Sequence, residues 1–223
     1  MRRKSFDILV SAGGAMLALV LIVAGALAMW GYSYANSTVH SQLAEQQITF
    51  PPKAAFAHAK AGTEITPSMI PAVSKYAGQK LTTGAQAEVY ANDFIAVHLQ
   101  EIGGGKTYAQ LSTEAMALPQ GSAAQKAAES TVQTVFQGTT LRGMLLNAYG
   151  WWKMGQLALL GSIVSWALAG VMGLLSALGL LHFRRVPLDR EIPQLRGAPS
   201  LTAGTNGSDK VGAKAEDYAA TKA

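Results

Sequence analysis

The stretch Met154–Phe183 reads MGQLALLGSIVSWALAGVMGLLSALGLLHF, thirty residues without a formally charged side chain. A helix needs about 20 consecutive apolar residues to cross the hydrocarbon of a bilayer, so this run spans it with room for tilt. Trp151, Trp152 and Lys153 stand before it, and His182, Phe183, Arg184 and Arg185 close it. Aromatic and cationic flanks suit the two water–lipid interfaces. This stretch is expected to be a transmembrane helix over 151–183, and the rest of the chain is arranged around it.

A second apolar run lies at the start. Met1-Arg2-Arg3-Lys4 is basic, and Ile8–Trp30 (ILVSAGGAMLALVLIVAGALAMW) carries no charge over 23 residues. A secretory signal has an apolar core of about 7–15 residues ahead of a small-residue cleavage site. Ser33-Tyr34-Ala35 offers such a site, but the run is too long for a cleaved signal. It reads as a retained span over 8–32. Trp30, Tyr32 and Tyr34 follow it and match Tyr149, Trp151 and Trp152 ahead of the second span, one aromatic cluster per helix.

Cations decide the orientation. Arg2, Arg3 and Lys4 precede the first span, and Arg184, Arg185 and Arg190 follow the second, so both termini are expected to be cytoplasmic. Lys153 is the single cation bordering a span on the other side. The domain plan is then a cytoplasmic start (1–7), a span (8–32), an extracytoplasmic segment (33–150), a span (151–183) and a cytoplasmic tail (184–223). The tail spaces Pro187, Pro193 and Pro199 by six and ends in small and polar residues, a composition expected to stay disordered.

Composition supports this reading. The chain is 49% hydrophobic and 14% charged, well below the quarter usual in soluble domains. It has no cysteine, which removes disulfides, thiolate metal ligands and a cysteine nucleophile. The net charge of +5 gathers beside the two spans, while residues 34–150 hold seven basic and seven acidic side chains. No basic face for nucleic acid results.

The outer segment reads as all-α. Asn36–Gln47 prolongs the first span until Phe50-Pro51-Pro52 stops it. Residues 53–66 read as loop, and Thr66-Pro67 opens a short helix toward Gly78. Thr83–Ile102 is the clearest outer helix. Tyr90, Phe94 and Val97 form one apolar stripe, and Ile95, Leu99 and Ile102 a second, with Asp93 and Gln100 on a polar edge. Gly103-Gly104-Gly105 stops it. Tyr108–Ala117 and Ala123–Gln137 are further helices; Gly138 is expected to break the last, with Thr139 or Thr140 capping a new one that enters the second span.

Few motifs survive as chemistry. Gly105-Lys106-Thr107 lacks the upstream glycine and preceding strand of a phosphate-binding loop, because Gln100 occupies the required position within a helix. His98 and Glu101 share a helix face, yet His98 projects between two apolar stripes, which favours a histidine with a backbone partner over a metal ligand. His40, His58 and His182 are scattered, and no G-x-S-x-G elbow exists. Asn36-Ser37-Thr38 and Asn206-Gly207-Ser208 match the glycosylation pattern, one close to the membrane and one in the tail. No cofactor is indicated. Ser165, Ala169, Gly173 and Ala177, spaced by four, place small side chains on one face of the second span and mark it as a helix-packing surface, toward the first span or a partner. The first span offers Ser11/Ala15, Gly14/Ala18 and Ala24/Ala28.

Three segments resemble a family of actinobacterial two-span membrane proteins: Ile48–Lys53 (ITFPPK), Leu81–Leu99 (LTTGAQAEVYANDFIAVHL) and Gly138–Gly155 (GTTLRGMLLNAYGWWKMG). The resemblance covers about residues 1–185. It implies a bacterial cell membrane and an extracytoplasmic domain, with no established activity. Some members carry the name aromatic ring-opening dioxygenase, but the iron ligands or acid–base residues such enzymes use are not visible here. The sequence thus reads as a non-enzymatic accessory, assembly or scaffold subunit of an envelope complex, partnered by lipid and by another membrane protein or a second copy. An extracytoplasmic ligand sensor working through a separate partner is the alternative, and a metal-dependent enzyme using His98 a third.

Overall fold

The computed structural model describes residues 3–185. Two long helices dominate it. Helix α1 is Arg3–Glu45, and α6, the last, is Ala123–Arg185. Between them lie α2 (Ile70–Val73), α3 (Gly84–Val89), α4 (Ala96–Ile102) and α5 (Tyr108–Ala117), with single 3₁₀ turns at Lys53–His58, Pro67–Met69 and Ser74–Tyr76. Among the described residues there is no strand, only one antiparallel bridge between Thr49 and Lys80. The expected all-α architecture, with two long apolar helices around a helical segment, is the one observed. The tail after Arg185 lies outside the described residues.

At 1.5 Å per residue, the 43 residues of α1 extend about 65 Å and the 63 of α6 about 95 Å. Each is long and apolar enough to cross a membrane. Of the most apolar eighteen-residue window in each, only 17% and 11% is buried, so neither is the enclosed core helix of a soluble protein. The two run antiparallel and pack along most of α1, from Ser11 against Gly179 to Ala35 against Gly155.

Beyond the apolar segments, the linking chain folds over the end of this pair away from Arg3 and Arg185. Its core joins Val39 and Leu43 of α1 and Leu145 of α6 to Phe50, Met69, Val73, Leu81, Ala87, Ala91 and Ile95. Phe50, Met69, Val73 and Leu81 are sealed from solvent, each worth about 1.5–3 kcal/mol of burial. Residues 48–51 lie against 78–81: Phe50 N–H donates to the Gln79 carbonyl at 2.9 Å, and Leu81 N–H to the Ile48 carbonyl at 2.9 Å. Residues 53–66, read as loop, include the 3₁₀ turn Lys53–His58.

The outer helix starts and stops where its sequence signals fall. Thr83 caps α3, its hydroxyl accepting from Gln86 N–H while the Gln86 side chain accepts from Thr83 N–H. Gln86 is buried, and its Nε2 donates to Gln79 Oε1 at 3.1 Å, so both the oxygen and the nitrogen of its side-chain amide are bonded. After Ile102, Gly104 and Gly105 adopt φ of 55° and 77°, left-handed values that end a helix cheaply only at glycine. Between α3 and α4 the chain makes one wider π turn, Tyr90–Ile95, in which Ala96 N–H donates to the Ala91 carbonyl. That extra residue resets the helical phase. The deepest positions become Ala87, Ala91 and Ile95, while Tyr90, Phe94, Val97 and Leu99 are half-buried beside them and Ile102 is exposed.

Gly138 does not break a helix. Helix α6 passes through it and through Thr139 and Thr140 unbroken, and the Thr140 hydroxyl bonds back to the Phe136 carbonyl. A Cβ at Gly138 would press on Leu99, so the glycine allows α4 to approach α6 closely. Helices α5 and α6 form a hairpin closed by Gly121 at φ 76°, with Tyr108 and Phe136 rings 5.5 Å apart.

Candidate functional site

The contact between the two apolar helices repeats every seven residues. On α6 the buried positions are Gly155, Ser162, Ala169 and Ser176. On α1, Ser11, Ala18, Gly25 and Val39 are buried at the same period, with Tyr32 half-buried between Gly25 and Val39. A period of seven keeps one seam facing the partner when two helices wind left-handedly around each other. All but Val39 and Tyr32 are small, which lets the backbones approach. The contacts are reciprocal: Ser11 sits over Gly179, and Ser176 over Gly14. The Oγ atoms of Ser162 and Ser176 are buried without a hydrogen-bond partner among the described residues.

Of the face expected from four-residue spacing, only Ala169 is buried on α1. Ser165 and Gly173 are half-exposed at the edge of the seam, and Ala177 is exposed. Nothing lies near a Cβ built on Gly173. The reason is geometric. Steps of four advance about 40° around a helix, so such a stripe leaves the seam within three steps, whereas steps of seven drift only about 20°. Spacing of seven in both spans was the available signal.

Trp166 also escaped the sequence reading. It lies in the middle of the apolar segment, its ring over Gly25, and its indole N–H donates to the Ile22 carbonyl at 3.3 Å. Away from that point the pair turns large apolar side chains outward, among them Leu17, Leu19, Val20, Leu160, Leu168 and Leu174.

The aromatic flanks divide by role. Trp30, Tyr34 and Trp151 are 67%, 63% and 62% exposed, and Trp30 stacks on Tyr34 at 5.8 Å. Tyr34 and Trp151 share a groove of about 330 Å³ with Thr38, Gln42 and Asn147. Lys153, Arg184 and Arg185 are exposed, and Tyr32 is half-buried between the helices. Trp152 departs from the expected anchoring role: it is half-buried, stacked on Tyr149 and pressed against Gly84 at the start of α3. It joins the outer helices to α6.

In the outer domain, His98 Nδ1 lies 2.8 Å from the Phe94 carbonyl and its ring packs edge-on against Phe94, the backbone partner its position implied. Among the described residues no three His, Asp or Glu side chains converge. Lys106 of the Gly105-Lys106-Thr107 stretch pairs with Glu114 at 2.7 Å, and Thr107 caps α5 through Gln110. Burial, then the Glu64 carboxylate, raises the Tyr90 hydroxyl above its ordinary value. Desolvation, then the charge of hydrogen-bonded Glu88, raises Tyr149 likewise.

Comparison with family models, with curated proteins and with solved structures gives no match to this chain. Its function is therefore argued from its own geometry.

Proposed function

We propose that this chain is a two-pass membrane protein that acts as a non-enzymatic accessory, assembly or scaffold subunit of an envelope complex. In this reading α1 and α6 cross the bacterial cell membrane side by side. Both termini face the cytoplasm, because the cations Arg2, Arg3, Lys4, Arg184, Arg185 and Arg190 flank that end.

The observation that carries it is the division of the helix pair. The buried seam is built of small residues, and the large apolar side chains of both spans face outward. Water does not tolerate a patch of that size, whereas lipid and other spans do. Into that surface open Gly161, Gly170 and Gly173, each with free space where a side chain would stand. They let a neighbouring helix approach, and a second membrane protein is the proposed occupant, with a homo-oligomer as the other arrangement.

Purification in mild detergent with mass spectrometry of the intact assembly tests this. A stoichiometric complex, weakened by Gly173→Leu while the chain itself stays folded, is the expected result. A monomer under every mild condition contradicts it. A second reading, an extracytoplasmic ligand sensor, rests on the cleft beside Arg142.

A further inference from the structure

Arg142 sits half-buried on α6, near the face that meets α4 and α5. One terminal nitrogen donates to Asn92 Oδ1 at 2.9 Å, and Asn92 is placed there by the π turn. Its Nε is buried with no acceptor among the described residues. No carboxylate among the described residues lies within salt-bridge distance of it. A half-buried guanidinium held by a neutral amide keeps its charge uncompensated, an arrangement that favours an anion nearby.

Arg142 lines a cleft of about 500 Å³, within the usual range for small-molecule sites. Lys106 and Thr139 supply further donors, and Leu99 and Val135 form an apolar wall. Among the described residues Lys106 pairs with the exposed Glu114, a pair of small net worth that a better anion displaces. Arg142 precedes Trp151 by nine residues, about 14 Å along the helix. On the membrane reading that lies past the headgroup layer, so the source is a soluble molecule rather than a lipid.

We infer that this cleft binds a small organic carboxylate, its oxyanion on Arg142 and Lys106 and its apolar body on Leu99 and Val135. The full-length protein in mild detergent is titrated calorimetrically with hexanoate, with its uncharged analogue hexanamide and with inorganic phosphate. Hexanoate is expected to bind, phosphate more weakly and hexanamide not at all. Arg142→Gln is expected to cost at least about tenfold in hexanoate affinity, Lys106→Gln less. Ala109→Leu, on the exposed rim, obstructs the cleft and serves as a second variant that leaves Arg142 and its packing in place. Circular dichroism and melting temperature establish that each variant is folded. Absence of hexanoate binding up to about 20 mM, the weak end of affinity, overturns the inference. So does binding unchanged by both Arg142→Gln and Ala109→Leu, hexanamide binding as well as hexanoate, or phosphate binding alone. None of these outcomes depends on the state of assembly, so failure here is separable from failure of the scaffold reading.

Discussion

Gly84 and Gly143 differ in what surrounds them, and the same substitution has opposite signs at the two. A Cβ at Gly84 would overlap the Cβ and ring of Trp152, and neither backbone can retreat without opening the outer domain. Gly84→Ala is expected to cost about 1–3 kcal/mol in thermal or denaturant unfolding. Gly143 lies within α6 with open space around it, so Gly143→Ala removes unfolded-state freedom and is expected to add about 0.4–1 kcal/mol. Tyr90 supplies a pH test. Its pKa is raised in the folded protein, so the folded state holds its proton after the unfolded state has lost it. Stability from this group is complete below about pH 10 and falls as pH rises beyond that value. Tyr90→Phe is expected to flatten, without abolishing, the loss seen between neutral and strongly alkaline pH in unfolding titrations, since Tyr149 shifts the same way. At this scale local chemistry was legible in the sequence: the start of a helix near Thr83, the glycine stop and the backbone partner of His98 depend on near neighbours. Trp152 was not, because its role depends on Gly84, 68 positions earlier in the chain.

The helices α1 and α6 were legible as elements because an uncharged run of that length has few other fates. The four-spaced small face, expected to pack on the first span or on a partner, is not the seam between the two spans, whose buried positions recur every seven residues. The π turn was not legible either. It shifts phase partway along Thr83–Ile102, so a constant 100° per residue puts Ile102 inside and overlooks Ala87 and Ala91. Gly138 misled for a related reason: glycine weakens a helix by about 1 kcal/mol, and packing against Leu99 outweighs that. The chain's lack of cysteine makes the seam directly testable. A Cβ on Gly14 stands 3.7 Å from Ser176 Cβ, and one on Gly179 3.6 Å from Ser11 Cβ, both within disulfide range. Gly14→Cys/Ser176→Cys and Ser11→Cys/Gly179→Cys are each expected to cross-link within one chain on mild oxidation, detected by mobility on denaturing gels. Gly14→Cys/Gly173→Cys is expected not to, and the reverse pattern would mean that the four-spaced stripe is the seam.

The whole molecule is a long antiparallel helix pair with a small helical domain folded over one end. Its core is continuous from Val39 and Leu43 to Leu145, so the domain and the pair are expected to unfold together. Met69→Ala, at a sealed position, is expected to cost about 2–5 kcal/mol in a single transition rather than a separate early one. The pair is expected to cross a bilayer and to leave the domain on one side. Single cysteines at Gly62, Gly104, Leu19, Leu168 and Arg184, probed in intact cells with a membrane-impermeant maleimide, test it most directly. The account predicts labelling at 62 and 104 from outside, at 184 only after permeabilisation, and none at 19 or 168 in either state. Labelling of 19 or 168 from water, with the chain folded, would contradict it.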